Sequence, residues 1–462
     1  MSDRLLVSGS TGETRIARVD DGGLADIALL RGQRQDLAGR VFIGRVQRVV
    51  PALDAAFVHI GQEADGFLTA SAVRNEAAKQ GINRRVHEGE VMLVQALGPG
   101  SGDKGLRLTT QISLRGRFLS LQPFTPPREE DALAPLRHRF DLPGTLTPLT
   151  KAPPEDTALL RLDAENLGQR WAAIEQRRNE TELAELLDEG EPDLVHAIRP
   201  MLGADALPIV VDDAESFATL HGWCSVQAPD VAALMTRHSG PDLFESSGVE
   251  ADLATALARV VPLLGGGRLI IEPTESLVSV DVDSGGGSTG PDRRSNARSV
   301  NMEALTALVR QIRLRRLAGL IAIDFIHMRH PSDRKAVTEK LEAAFAQDDV
   351  ATRMAPVPAF GLAVLNRQRV REPLASWFLQ SEADATPGWQ AEAAALRLLR
   401  DAERATRNDR ARRTPVLRVG AAVAAHLSQS GLLKTFETRT GVLPDLQTDA
   451  TMAVDAGEIS TN

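Results

Sequence analysis

Two apolar runs that each end in aspartate constrain the fold of this 462-residue chain more than any other feature. The run LVSVDVD ends in Asp281 and Asp283, and the run GLIAID ends in Asp324. The segment between the runs carries apolar residues at helical spacing: Leu305, Leu308, Val309 and Ile312. A strand–helix–strand crossover would place both strands side by side in one sheet. GLIAID is apolar enough to predict a central strand that is covered on both faces.

This crossover also predicts a cluster of carboxylates. Asp281 and Asp283 are two residues apart and share one face of a strand, and Asp324 would join them at the same edge of the sheet. Carboxylates that repel one another are stabilised by Mg²⁺, with Mn²⁺ as the alternative, and such an ion could activate water and hold a phosphodiester. The other interpretation is that these residues are solvated turn carboxylates, which is the more common role of an Asp-x-Asp pair at a strand end.

Residues 38–120 predict a small antiparallel barrel. Five short segments of alternating polarity are separated by joints that contain Gly, Pro or Asn, and five strands in such a length fit an OB-type fold. Phe57 and Phe67 lie on adjacent predicted strands, where they could stack on nucleic-acid bases, and Lys104 precedes the last strand, where it could meet a phosphate. The alternative for both phenylalanines is a place in the barrel core.

The net charge of −9 weakly disfavours a nucleic-acid partner, but the charge is unevenly distributed. Residues 38–120 carry eleven basic and seven acidic side chains, and residues 293–316 carry seven arginines and one glutamate. The single cysteine, Cys224, excludes an intramolecular disulfide and any zinc site that needs two cysteines of one chain. With no signal-like N-terminus and no membrane-spanning run, a cytoplasmic protein without membrane contact is expected.

The rest of the chain predicts α+β architecture. A Pro-rich joint, QPFTPPREED, closes the barrel, and a helix is expected over 163–187. Beyond Pro208, short apolar strands alternate with helices, including long helices from about Asn296 and from about Ser332 to Gln347. A small helix-and-strand module follows, and the polar tail after Asp449 is expected to be disordered.

Three stretches resemble the ribonuclease E/G family of bacterial endoribonucleases: GRVQRVVPALDAAFVHIGQEADGFL, IEPTESLVSVDVDSGGG and LVRQIRLRRLAGLIAIDFIHM. The resemblance implies an OB-fold barrel inserted in an RNase H-like domain, then a DNase I-like α/β catalytic domain and a small C-terminal α/β module. The implied bounds are 1–37 with 207–256 for the RNase H-like domain, 38–120 for the OB-fold, 121–206 for a degenerate 5′-sensor-like segment, 257–380 for the catalytic domain, 390–450 for the C-terminal domain and 451–462 for a disordered tail.

The resemblance also implies site residues. Asp281 and Asp324 would be Mg²⁺ ligands, and Asp283 stands where the family usually has Asn beside the hydrolytic water. Phe57, Phe67 and Lys104 would contact single-stranded RNA. The implied reaction is hydrolysis of single-stranded, AU-rich RNA that leaves a 5′-phosphate and a 3′-hydroxyl.

The chain departs from the family pattern in several places. The region near SEADATPGWQ has no CPxC zinc-link, so no zinc and no zinc-linked tetramer are expected, although a homodimer remains open. Pro148 and Leu149 replace the Arg-Thr pair that senses the RNA 5′ end, and His327 replaces a second acid. Asp283 adds negative charge at the metal but offers no amide to orient water.

The leading hypothesis is a Mg²⁺-dependent, single-strand-specific endoribonuclease that cuts with Asp281, Asp283 and Asp324. Retention of these acids favours it, whereas loss of the zinc-link and the sensor pair favours a non-catalytic RNA-binding regulator with the same fold. A metal-dependent phosphoesterase for a small substrate is the third hypothesis.

Overall fold

The computed structural model describes the chain except residues 1–2, 33–36, 75–80, 99–104, 128–130, 150–156, 182–183, 189–191, 203–204, 241, 286–292, 347, 349, 356–357, 359, 381–387, 410–412 and 462. The chain forms two compact units. One contains residues 3–5 and 33–237 and is called the barrel unit below. The other contains residues 6–32 and 238–462 and is called the carboxylate unit.

The chain begins with three strands and continues with the five strands of a barrel. The first three are β1 (Arg4–Ser10), β2 (Glu13–Asp20) and β3 (Gly23–Leu30). The barrel strands are β4 (Val41–Val50), β5 (Ala55–His59), β6 (Gly66–Thr69), β7 (Val91–Gly98) and β8 (Arg107–Thr109). They pair in the order β4-β5-β6-β8-β7, and β4 also pairs with β7, which closes the barrel. Inward side chains such as Phe42, Val58 and Leu68 fill it.

The remainder of the barrel unit mixes helices and short strands. In chain order these are β9 (Leu114–Arg115), β10 (Leu119–Gln122), α1 (Ala134–Arg139), β11 (Thr145–Pro148), α2 (Thr157–Glu180), β12 (Glu185–Leu186), α3 (Asp193–Ile198), β13 (Ile209–Val211), α4 (Ala214–Gln227), α5 (Pro229–Ala232) and β14 (Met235–Arg237). The helix expected over 163–187 is α2, which starts earlier and ends at Glu180, because Glu185 and Leu186 pair with β4 instead.

The carboxylate unit continues after residue 237 with two successive groups of elements. The first comprises α6 (Leu243–Ser246), α7 (Val249–Leu257), β15 (Val260–Pro262), β16 (Arg268–Pro273), β17 (Val278–Asp283), α8 (Arg293–Leu314), β18 (Gly319–Asp324), α9 (Pro331–Ala346), β19 (Thr352–Met354) and β20 (Leu362–Arg367). The second comprises α10 (Ala391–Asn408), β21 (Pro415–Val419), α11 (Ala421–Ser430), α12 (Leu432–Thr440), β22 (Asp445–Thr448) and β23 (Gly457–Thr461).

The six-stranded sheet of the carboxylate unit has the order β15-β16-β17-β18-β20-β19. Strands β17 and β18 run parallel and are joined by α8, as the sequence predicts. One face packs against α8 and α9 through residues such as Val280, Ile323, Leu308 and Leu341. The expectation that GLIAID is covered on both faces is wrong. Leu320, on the opposite face, is 42% exposed, so β18 alternates like a strand that is buried on one face.

The C-terminal module corrects another expectation. Residues 451–461 were expected to be a disordered tail, but they form turns and then β23. This strand pairs antiparallel with β21, and Ile459 packs against the core that β21 forms with α10 and α11. The order of this sheet is β22-β21-β23, so β23 pairs with the edge of β21 that β22 leaves open. Among the helices that the structure describes, none is long and apolar enough to cross a membrane.

A buried ionic cluster joins the two ends of the carboxylate unit. The carboxylate of Glu13 on β2 accepts hydrogen bonds from Arg31 Nε and from Arg400 Nη1 of α10, each at 2.6 Å. Arg15 lies 3.7 Å away and itself pairs with Glu250 at 2.7 Å. Burial alone would raise the pKa of Glu13, but Arg31, Arg400 and Arg15 outweigh it and lower that pKa. The carboxylate is therefore ionised in the folded protein.

Glu13→Gln should lower the free energy of unfolding by about 3–5 kcal/mol, because the arginines of the cluster lose their buried countercharge. Urea denaturation followed by circular dichroism measures this change. Glu458→Gln is the control, since Glu458 forms an exposed ion pair with Arg418 and should change stability little.

The stabilisation by Glu13 should also depend on pH. Because the pKa of Glu13 is lower in the folded state, its contribution is present above the unfolded pKa and is lost as the pH falls through the folded pKa. Equal stability of Glu13→Gln and the wild type at neutral pH would contradict this role.

Candidate functional site

The parallel ladder brings Asp281 and Asp324 together. In the register of β17 and β18 these two residues are direct partners, so their Cα atoms lie about 4.8 Å apart, the spacing of neighbouring strands. Both lie on the sheet face opposite α8 and α9, and both are exposed. The predicted meeting of the two apolar runs therefore yields a pair of adjacent carboxylates that solvent and substrates can reach.

The two carboxylates influence one another electrostatically. Partial burial and then the negative charges of Asp324 and Asp283 raise the pKa of Asp281 above its ordinary value. Arg268 opposes this shift but does not cancel it. A divalent cation between Asp281 and Asp324 would relieve their repulsion and favour the ionised form of both.

Asp283 has a different environment from the other two acids. Its Oδ2 accepts a hydrogen bond from Arg268 Nε at 2.7 Å and lies 2.6 Å from Arg268 Nη2 in an ion pair. Its Oδ1 accepts a hydrogen bond from the backbone N–H of Gly285 at 3.0 Å. The bond from Gly285 and then the Arg268 side chain lower the pKa of Asp283. Arg268 is its register partner on β16. Asp283 is thus neutralised by a strand neighbour rather than left as a third free carboxylate.

The donor set at this edge consists of two carboxylates with Asp283 beside them. Within the described part of the chain, no group of three or more His, Cys, Asp or Glu side chains is arranged to hold a metal ion. Mg²⁺ often takes only one or two protein carboxylates and completes its shell with water and substrate phosphates. Asp281 and Asp324 fit that pattern.

Asn301 on α8 is a site residue that the sequence analysis missed. Its side chain is fully buried; Nδ2 donates to the carbonyl of Ile326 at 2.8 Å, and Oδ1 accepts from the N–H of Ile326 at 3.1 Å. Both bonds fix the backbone two residues after Asp324 to the crossover helix. A polar residue within the apolar stripe of α8 was the available signal, since buried amides need partners.

A second candidate surface lies on the barrel. Phe57 of β5 and Phe67 of β6 are direct register partners, with ring centroids 5.6 Å apart and an interplanar angle of 64°. Both rings are half-buried and lie outside the barrel core, which Ala56, Val58 and Leu68 occupy instead. The core-packing alternative for these rings therefore does not hold.

Two arginines extend the aromatic pair into a band across four strands. Arg48 of β4 is the register partner of Phe57, and its guanidinium carbon lies 4.9 Å from that ring centroid. Arg107 of β8 is the register partner of Phe67. The sequence shows both arginines as positive charges of the barrel, but their pairing with the rings does not follow from a sequence pattern. A register shift between Val46 and Arg48 determines which residue of β4 faces Phe57. Lys104 lies outside the described residues.

Other positions singled out from the sequence are placed as follows. Pro148 is the last residue of β11 and the register partner of Leu119. Strand β11, Thr145–Pro148, contains no cationic residue that could replace the sensor pair. His327 is exposed in the segment after Asp324. Residues 381–387, in the region where the zinc-link would fall, lie outside the described residues. Cys224 is buried, and burial raises the pKa of its thiol to about 11, so it has little thiolate character.

Asp324→Asn should lower the pKa of Asp281, because the substitution removes the nearest negative charge while leaving burial unchanged. Carbon-13 NMR titration of aspartate-labelled protein measures this. Glu272→Gln is the control, since Glu272 contributes the smallest effect on Asp281 and its loss should shift that pKa less. A larger shift from Glu272→Gln than from Asp324→Asn would contradict the pairing.

Two family models match parts of this chain. Residues 148–370 match the model of the Ribonuclease E/G family, and residues 36–104 match the S1 RNA binding domain. The second match covers β4 to β7, four of the five strands of the closed barrel, and the barrel is therefore an OB-fold, as the sequence predicts.

Named relatives extend the match over most of the chain. Ribonuclease G of Escherichia coli K12 is 32% identical, with 81% of each chain covered, and Ribonuclease G of Haemophilus influenzae is 31% identical, with 80% of each covered. Ribonuclease E of a Nostoc species is 30% identical over 75% of this chain and 53% of its own. The resemblance seen in three sequence motifs is confirmed, and the chain belongs to the ribonuclease E/G family.

Proposed function

We propose that this protein is a Mg²⁺-dependent endoribonuclease that hydrolyses single-stranded, AU-rich RNA and leaves 5′-phosphate and 3′-hydroxyl ends. Its class, endoribonuclease, follows from membership of the ribonuclease E/G family. The S1 match on the barrel supports RNA as the partner. The observation that carries the proposal is the direct pairing of Asp281 with Asp324 on an open sheet face.

Asp281 and Asp324 are the proposed ligands of Mg²⁺ or, alternatively, Mn²⁺. Their adjacency, exposure and mutual repulsion suit a hard cation that also takes oxygen ligands from a phosphate. When bound, the ion supplies Lewis-acid activation of water and charge stabilisation at the phosphodiester. No zinc is needed for this chemistry.

The remaining acid is assigned a positioning role in catalysis. Asp283 holds Arg268 at the carboxylate edge through a hydrogen bond and an ion pair that share one oxygen. A fixed guanidinium there can face a phosphate oxygen of the substrate, since arginine retains donors beyond those bound to Asp283. Asp283 also keeps an acceptor oxygen near the reacting water, but it cannot donate a hydrogen bond as an amide would.

The band on the barrel is the proposed grip for single-stranded RNA. Phe57 and Phe67 offer stacking faces, and Arg48 and Arg107 flank them with positive charge. Lys104 is proposed as a further phosphate contact. This band, with cations at both ends and aromatic rings between them, suits single-stranded RNA, whose phosphates and bases are both accessible.

The finer architecture belongs to the same proposal. The OB-fold is proposed to be inserted in an RNase H-like domain of residues 1–37 and 207–256, with 121–206 as a degenerate 5′-sensor-like segment and 257–380 as a DNase I-like catalytic domain. Loss of the Arg-Thr pair at Pro148 and Leu149 predicts little preference for monophosphorylated 5′ ends. A homodimer without a zinc-link and a cytoplasmic location complete the proposal.

Asp281→Asn and Asp324→Asn should each reduce Mg²⁺-dependent cleavage of a 5′-labelled AU-rich RNA by at least about 100-fold, because each removes one charged ligand. Gel analysis of cleavage with and without Mg²⁺ measures the rate, and Mn²⁺ binding followed by electron paramagnetic resonance tests the ligands without turnover. Asp455→Asn, an exposed acid in the C-terminal module, is the matched control and should cut like the wild type.

Two outcomes would contradict parts of this proposal. Unchanged cleavage by Asp281→Asn would exclude the carboxylate mechanism. Tight RNA binding by the wild type with no cleavage would instead indicate a non-catalytic RNA-binding regulator.

Phe57→Ala should weaken binding of single-stranded RNA by about 1–3 kcal/mol, the contribution of one stacked base. Fluorescence anisotropy with a labelled oligonucleotide measures affinity, and thermal melting checks that the variant is folded. Phe217→Ala, which removes an equally half-buried ring from α4, is the control and should bind RNA normally. Normal affinity of folded Phe57→Ala would remove the barrel rings from the RNA-binding surface.

A further inference from the structure

Phe360 is an unusual aromatic residue in this protein. The chain has 13 phenylalanines, 4 tryptophans and no tyrosine. In the part that the structure describes, Phe360 alone among them is classed as exposed, with 69% of its surface accessible. The other described aromatic rings are buried or half-buried. Isolated exposed apolar residues are common on protein surfaces, so the place of this ring in the fold must decide whether it has a role.

The position of Phe360 is fixed relative to the carboxylates by the β18–β20 ladder. Asp324 is the register partner of Leu362, and Phe360 lies two residues before Leu362, just beyond the end of β18. Paired Cα atoms are at most about 5.5 Å apart and consecutive Cα atoms 3.8 Å apart, so the Cα of Phe360 lies within about 13 Å of that of Asp324. Phe360 therefore adjoins the catalytic edge within the same unit.

Gly361 holds the backbone of Phe360 in place. Its φ of +93° favours glycine, and a Cβ at this position would lie 3.2 Å from the carbonyl oxygen of Phe325, the residue after Asp324. The N–H of Gly361 also donates to the carbonyl of Pro358 at 3.1 Å. The turn that presents Phe360 is thus pressed against the strand end that presents Asp324.

The sheet face beside Phe360 is apolar next to the acids. Leu320 is 42% exposed, and Leu362 and Val364 are half-buried on the face that carries Asp281 and Asp324. Apolar side chains cannot attract the phosphates of RNA, and the carboxylates repel them. A nucleobase, in contrast, gains from contact with such a surface and with an aromatic ring.

We propose that Phe360 stacks on a nucleobase of the RNA next to the phosphodiester that is cut, and so holds that bond at the carboxylate pair. This inference rests on the proposed function, because it takes RNA as the substrate of Asp281 and Asp324. Stacking accepts any base, so Phe360 positions the strand without selecting its sequence. Stacking on Phe360 attracts the RNA close to Asp281 and Asp324, whose negative charge repels its phosphates.

Three variants and one control test this role. Phe360→Ala and Phe360→Leu should reduce kcat/KM for single-stranded RNA by about 5- to 150-fold, the range of one base–aromatic stack, whereas Phe360→Trp should retain the wild-type value. Leu443→Ala removes another exposed apolar side chain, 51% accessible, and should leave kcat/KM unchanged. Wild-type activity of Phe360→Ala would overturn the proposal.

Abasic substitution identifies the stacked base directly. RNAs with one abasic nucleotide at successive positions around the cut should reveal a position where base removal slows the wild type but not Phe360→Ala. A merely structural effect of Phe360 would instead add to base removal at every position, and that result would overturn the inference.

A binding measurement separates this inference from the proposed function. RNA with 2-aminopurine at the identified position, or at each position in turn, should change fluorescence on binding the wild type and not on binding Phe360→Ala. That difference would support stacking even if the wild type failed to cut RNA, whereas cleavage without the difference would overturn stacking alone. Phe360→Ala could instead change the molecular mass measured by sedimentation while 2-aminopurine RNA shows the same fluorescence change as with the wild type. That result would assign the ring to a contact between copies of the chain and overturn the proposal.

Discussion

The parallel pairing of β17 with β18 is the constraint on which the edge with Asp281 and Asp324 depends. The helix α8 joins the two strands and covers one face of the sheet, so the side chains of the other face remain open. Because side chains alternate along a strand, a shift of one residue in β18 would turn Asp324 toward the apolar core. The buried residues Ile321 and Ile323 exclude that shift, and Asn301 fixes the segment that follows.

The two units carry surfaces of opposite chemistry. The carboxylate edge is negative and therefore unsuited to attract a polyanion, whereas the band on the barrel combines arginines with aromatic rings. This division explains why a net charge of −9 does not argue against an RNA partner. In the proposed function, binding strength comes from the barrel, and the acids hold a cation and face the reacting phosphate.

Much of this arrangement could be predicted from sequence because it depends on short-range patterns. The apolar runs and the helical spacing of apolar residues were sufficient to predict β17, α8 and β18. The two-residue spacing of Asp281 and Asp283 predicted that they share one face of a strand. The pairing of Arg48 with Phe57 could not be predicted, since it depends on an irregularity in β4. Likewise, the ion pair of Asp283 with Arg268 required the register of β16, and β23 depends on an open edge of β21. These features arise from long-range pairing, which no local pattern encodes.

The Glu13 cluster has a consequence for how the protein is made. Glu13 and Arg400 are 387 residues apart, yet both belong to one buried network. At a synthesis rate of about 5–20 residues per second, the ribosome needs about 20–80 seconds to add the chain between them. During that time Arg400, one of the partners of the Glu13 carboxylate, has not yet been added, whereas all residues of the barrel unit are present once residue 237 is made. The residues of the barrel unit can therefore fold on the ribosome before Arg400 is made, whereas the Glu13 cluster of the carboxylate unit can form only after Arg400 has been added.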